Sequence, residues 1–293
     1  MKRYLIKCLC INKKNELEID EKKFKDLKNA NECLKDILSF EEKYELLLSN
    51  YYELEKECLI IASKYMINNN IEYEDMFQIK LLLNQRIVNL LTVARLYIDQ
   101  ITKHTKNYIN EDVKLLFSHE YDNSFEYRFM EALRNYVQHR GLAVHSFLLG
   151  SNWTSMEEDG EMRFRIEIFT DKNIIDKDKS FKKQVFEEMP EKVNLLYSIR
   201  AYLESISKIH CDIRSKLRNC VDNSRKLIED SIEEYKNKYN EKNKTLSVVT
   251  IDDEKILDKF QLSLLWDDIR IKLEKKNEKL VNLKKRFVSN SVK

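Results

Sequence analysis

Turn-forming residues are almost missing from this chain. Three glycines and one proline stand among 293 residues. Doubly wound and all-β folds need far more of both, so the composition predicts long helices joined by few turns. Charge of one sign is lacking as well. Fifty-two basic residues face 50 acidic ones, a net charge of +2. A protein that coats nucleic acid non-specifically is far more basic, so any RNA contact is expected to be local and small. Long apolar runs are absent, and nothing reaches the ~18 residues a membrane span requires. Lys2-Arg3 before Tyr4-Leu5-Ile6 has the start of a signal peptide, but Lys7 breaks the apolar stretch and no small-residue cleavage site follows. Cytoplasmic residence is the expectation.

Paired cysteine spacing is missing too. Cys8, Cys10, Cys33, Cys58, Cys211 and Cys220 contain no C-x-x-C, and Cys8-x-Cys10 has no partner cluster for zinc. Reduced thiols are expected. No G-x-x-x-x-G-K-[ST], G-x-G-x-x-G or H-E-x-x-H occurs, so nucleotide-loop folds and a hydrolytic metal site lack support, and no cofactor is expected.

What is present is helical periodicity. Apolar residues are 43% and charged residues 35%, which suits amphipathic helices. Asp20 to Leu38, Glu41 to Met66, Asp75 to His104, Ser124 to Arg140, Glu191 to Lys238 and Glu254 to Lys285 each carry a continuous apolar stripe. Residues 3–11 lean toward a strand. Val144–Leu148 and Met162–Phe169 form an expected hairpin around a Ser151–Gly160 loop, and Leu246–Ile251 is a short β-like segment. The fold class expected is mainly all-α. Residues 1–35 are the N-terminal strand and helix, and 36–218 a helical bundle with a β insertion near 142–175. Residues 219–293 are a C-terminal helical extension.

One stretch concentrates reactive side chains. In Phe129-Met130-Glu131-Ala132-Leu133-Arg134-Asn135-Tyr136-Val137-Gln138-His139-Arg140-Gly141, the apolar residues repeat at helical spacing and Gly141 is a fitting left-handed C′ residue. Asn135 and His139 are one turn apart on one face, with Arg134 about 100° round the helix. A guanidinium, a carboxamide and an imidazole on one patch can hold a phosphate and move a proton. The plainer reading of the same three residues is a buried polar knot that pins the helix, with Glu131 pairing Arg134. His145, Arg140, Arg86 and Asn89 are candidate supporting or RNA-binding residues. Arg86 and Asn89 serve helix pairing equally well. His104, His119 and His210 read as ordinary surface or core histidines.

The words R-N-x-x-x-H resemble the R-x(4–6)-H signature of the HEPN superfamily, helical proteins that include many RNA-cleaving toxins. A polar residue often follows the Arg in that family, and Asn135 fits. Arg140 to His145 is a second match to the spacing. The longer phrase LRNYVQHRGLAVH is similar to one found in bacterial HEPN proteins, and the resemblance covers roughly residues 40–215. It implies a metal-independent endoribonuclease with Arg134, Asn135 and His139 as catalytic residues. It further implies a two-fold homodimer around one cleft, a role in toxin–antitoxin or phage-defence systems, and an antitoxin such as a nucleotidyltransferase. The alternatives are a non-catalytic nucleotide- or protein-binding module of the same fold and a helical scaffold.

Overall fold

The computed structural model describes residues 2–8, 15–109, 111–157, 160–175, 181–240, 245–253 and 255–288. The chain order is β1 (Arg3–Cys8), β2 (Glu16–Ile19), α1 (Glu21–Ile67), α2 (Tyr73–Thr105), α3 (Lys114–Asn123), α4 (Phe125–His139), β3 (Ser146–Trp153) and β4 (Met162–Asp171). It continues with α5 (Lys172–Ile175), α6 (Lys183–Glu188), β5 (Lys192–Asn194), α7 (Leu195–Tyr239), β6 (Leu246–Asp252), β7 (Lys255–Leu262) and α8 (Asp267–Lys276). The strands form two antiparallel sheets, ordered β2-β1-β6-β7 and β3-β4-β5. This corrects the all-α expectation: the fold is a mixed α+β one.

The strands near the two chain ends were expected, but their union in one sheet was not, because that pairing is non-local. Leu5 stands opposite Val249, so the N-terminal strand finds its partner near the far end of the chain. The C-terminal stretch read as one helix contains β7, because Ile256 and Phe260 match helical spacing as readily as they match a strand. Asp253 takes φ 43°, and β7 turns back along β6. A short polar side chain tolerates that left-handed backbone. Two expected helices prove to be the single α1, since nothing between Leu38 and Glu41 breaks the pattern. The helix placed after Pro190 begins only at Leu195, after β5 has joined β4.

The chain divides into two compact units. The first comprises residues 1–42, 101–111 and 213–278. Its central strands are covered on both faces: adjacent Leu5 and Ile6 of β1, and the whole of Leu246–Thr250 in β6, are buried. Among its helices Glu41 is completely buried and takes a bidentate pair of bonds from Arg214, at 2.9 and 2.7 Å. Asp267, equally buried, receives Arg270 at 2.6 and 3.0 Å and Arg225 at 2.6 Å.

The second unit comprises residues 43–100, 112–212 and 279–293. It contains the later part of α1, most of α2, all of α4 and the first part of α7, the four segments expected to share one bundle. Leu54, Ile87, Phe129, Leu133 and Ile199 are core residues with at most 0% exposure. Polar clasps cross between these helices. Arg200 grips Glu55 at 2.6 and 2.7 Å, and the Tyr97 hydroxyl meets His210 Nδ1 at 2.9 Å. Among the described residues no helix is long and apolar enough to cross a membrane.

A buried carboxylate stripped of its guanidinium is costly, on the order of 3–5 kcal/mol. Arg214→Met is therefore expected to lower the urea midpoint sharply. The double change Arg214→Met with Glu41→Leu should recover much of that loss, because no charge then stays buried. A double variant no more stable than the single would refute this account of the pair.

Candidate functional site

The α4 helix starts as its sequence dictates. Ser124 is extended, at φ −127° and ψ 118°, and its hydroxyl accepts the Tyr127 N–H at 3.2 Å. Phe129, Met130 and Leu133 are fully buried, which anchors one face and turns Asn135, Gln138, His139 and Arg140 outward. At the helix end the expected left-handed glycine is not found. No described glycine has positive φ. Gly141 instead leaves room for the Tyr136 ring, since a Cβ there would lie 2.5 Å from its hydroxyl oxygen and the ring would have to move.

A cleft of about 620 Å³ opens beside the last turns of α4. Glu131, Asn135, Tyr136, His139 and Arg140 form one wall, with Tyr121 of α3 and the Phe181-Lys182 segment before α6 on the other side. His139 is exposed, and its imidazole makes no hydrogen bond to another described residue. Asn135 is exposed, and its Oδ1 accepts a bond from the Arg134 guanidinium at 2.6 Å. Arg134 is half-buried and is not part of the cleft wall, so within one chain it reaches the cleft through Asn135. The exposure of Asn135 and His139 leaves the polar-knot reading of these two side chains without a buried partner to pin.

Of the expected supporting residues Arg140 lines the cleft, and the other three do not. Arg86 of α2 pairs with Glu57 of α1 at 3.1 Å, and its Nε is buried without a partner. Asn89 is exposed, and neither residue lines the cleft. His145 stands behind the wall, its ring edge-on to Tyr136 at 6.0 Å between centroids. Its Nδ1 accepts the Asp171 N–H at 3.0 Å, which puts the proton of the neutral ring on Nε2, and that atom is buried with no partner. Burial holds the His145 imidazole below its ordinary range, against the opposing pull of the Asp171 carboxylate. A neutral imidazole facing away from the cleft is a packing group.

Glu131, Tyr121, Phe181 and Lys182 were not foreseen as cleft residues. Glu131 was expected to pair Arg134, but it accepts the Tyr202 hydroxyl at 2.5 Å and lies 3.6 Å from Arg95. Its place was readable in principle, because Glu131, Asn135 and His139 follow one another at four-residue steps along one face. Lys182 lies 4.4 Å above the Tyr121 ring and bonds its hydroxyl. No local pattern announces that contact, since the two residues meet only through tertiary packing. Arg95 also bonds to Asp99, one turn along α2, at 2.8 Å.

The cleft therefore carries an imidazole, an amide fixed by a guanidinium, two further cations, three aromatic rings and the Glu131 carboxylate, which is engaged by Tyr202. Such a set can bind a phosphate ester and exchange a proton with it. Among the described residues no group of three or more His, Cys, Asp or Glu side chains is arranged to hold a metal ion. No family model matches the chain, and no curated protein or solved structure is significantly similar to it.

The state of His145 has a measurable consequence. The unfolded chain binds a proton at this ring near the ordinary value of 6.5, while the folded chain resists it. Stability is then complete above that pH and falls as the pH drops through 6.5 toward the depressed folded value. Replacing His145 with Gln should shrink the difference between urea midpoints taken at about pH 7.5 and about pH 5.5. An unchanged difference would show that the ring titrates alike in both states.

Proposed function

We propose that this chain is a HEPN-type endoribonuclease that cleaves RNA by attack of the substrate's own 2′-OH. The observation that carries the reading is the exposed His139 imidazole on the cleft wall, one helical turn from an Asn135 carboxamide held by Arg134. The sequence resemblance to the R-x(4–6)-H signature falls on these same residues.

In the proposed reaction the 2′-oxygen attacks the adjacent phosphorus and gives up its proton, while the 5′-oxygen leaves and takes one. The His139 imidazole is the group placed to take the first proton or to give the second. Asn135 orients a phosphate oxygen or the imidazole. Arg134 supplies positive charge to the crowded phosphoryl centre. Arg140 and Lys182, at the rim, attract the chain of phosphates on either side. The products are a 2′,3′-cyclic phosphate and a 5′-hydroxyl.

Two copies related by a two-fold axis, each presenting its α4 to a shared cleft, complete the proposal. Such an enzyme belongs with toxin–antitoxin or phage-defence systems, held in check by an antitoxin such as a nucleotidyltransferase. One observation favours a second reading, a nucleotide-binding module without cleavage: the Arg134 guanidinium is directed to Asn135 and not to the cleft.

Arg134→Ala and His139→Ala should each slow cleavage of a single-stranded RNA by about 10²-fold or more, with the melting temperature nearly unchanged. His145→Ala should be much milder. Cleavage should persist in EDTA and leave 2′,3′-cyclic ends, read by mass spectrometry. A pure wild-type protein that binds RNA but does not cut it would establish the binding-module reading instead. Light scattering at micromolar concentration should report a dimer, and a monomer would count against the shared cleft.

A further inference from the structure

Cys33 and Cys220 meet inside the first unit. Cys33 is a buried position of α1, 2% exposed, and Cys220 is a half-buried position of α7. Their sulfurs are 3.1 Å apart although 187 residues separate them in sequence. A disulfide has its sulfurs about 2.05 Å apart, so roughly 1 Å of sulfur movement would close the bond. The surroundings hold both side chains in place. The Ser224 hydroxyl, one turn along α7 from Cys220, hydrogen-bonds to Cys33. The Tyr108 hydroxyl donates to Asp36 at 2.8 Å, one turn along α1 from Cys33.

We propose that Cys33 and Cys220 form an oxidation site, at which a hydroperoxide converts the two thiols into an intrachain disulfide tying α1 to α7. This inference is independent of the ribonuclease reading. Burial and the adjoining Cys220 sulfur push the Cys33 thiol up to about 12, so it stays protonated at neutral pH. The more accessible Cys220 therefore meets the oxidant first. Its sulfur, giving up its proton, attacks one peroxide oxygen; the O–O bond breaks, a sulfenic acid forms, and the departing hydroxide takes up that proton and leaves as water. The Cys33 sulfur then attacks the sulfenic sulfur. The S–O bond breaks, and the oxygen leaves as a second water carrying the Cys33 proton. Two thiols lose two electrons in all, and one hydrogen peroxide becomes two waters. The reaction is limited by its second step, because Cys33 is buried and stays protonated. It is slow to reverse, for the same burial keeps small reductants from the finished bond.

A cross-link spanning so long a loop constrains the unfolded chain strongly. The test uses the full-length protein treated with hydrogen peroxide, then alkylated under denaturing conditions and digested without reductant. The expected result is one peptide pair joined through Cys33 and Cys220, loss of two alkylatable thiols, and a melting temperature raised by several degrees. Dithiothreitol should reverse all three. Cys220→Ser, a small change at a half-buried position, should abolish the cross-link and the peroxide-dependent rise while the untreated protein melts as before. The proposal fails if both thiols remain alkylatable under peroxide that oxidises free cysteine. It fails equally if the joined peptides contain another cysteine pair.

Discussion

The cleft depends on a buried amide. Asn84 of α2, 1% exposed, accepts the Val144 N–H at 2.8 Å and donates to the Val144 carbonyl at 3.2 Å. It thereby plays the part of a neighbouring strand for one residue of chain, just where α4 has ended and β3 is about to begin. The Thr170 hydroxyl donates to the Ala143 carbonyl next to it, at 2.7 Å. Together they fix the path of the chain as it leaves α4 beside the cleft. A buried backbone carbonyl or N–H without such a partner would destabilise the turn by roughly 1–3 kcal/mol. The reactive side chains are exposed, while the groups that fix the chain beside them are buried.

A second dependence lies in the first unit. An isolated two-stranded hairpin such as β1–β2 is marginal in water. It becomes part of a four-stranded sheet only when β6 arrives from the other end of the sequence. The Glu41–Arg214 and Asp267–Arg270–Arg225 clusters reinforce the same long-range closure with ionic bonds shielded from water. Ion pairs of this kind contribute little net stability over an apolar pair, but they penalise any misregistered packing heavily. The Cys33–Cys220 contact sits on this closure as well, joining two helices that the chain alone would keep far apart.

Legibility in the sequence followed the range of the forces involved. The apolar stripes of α2 and α4, the Ser124 cap and the β3–β4 hairpin are local features, and each was readable within a dozen or so residues. Three strands were lost: β2 and β5 are too short to carry a pattern, and in the longer β7 a helical spacing competes with the strand one. At the site, Asn135, His139 and Arg140 were legible from their spacing on one helix. Arg86, Asn89 and His145 were plausible by residue type, yet tertiary packing sends them to an ion pair, to solvent and to a backbone N–H. Glu131 was misassigned because two partners, Tyr202 and Arg95, come from other helices.

The amino-acid sequence by itself determined that this chain would be built from long amphipathic helices, since scarce glycine and proline leave few places to turn. It also determined that one helix would carry a carboxamide and an imidazole on the same face, because the 3.6-residue period decides that without any partner. Only the tertiary structure decided that the strands assemble into two sheets, that Tyr121 and Lys182 close the far side of the cleft, and that Arg134 bonds to Asn135. Those outcomes come from contacts between residues distant in sequence, whose strength depends on burial and mutual geometry. Neither quantity exists until the chain has folded.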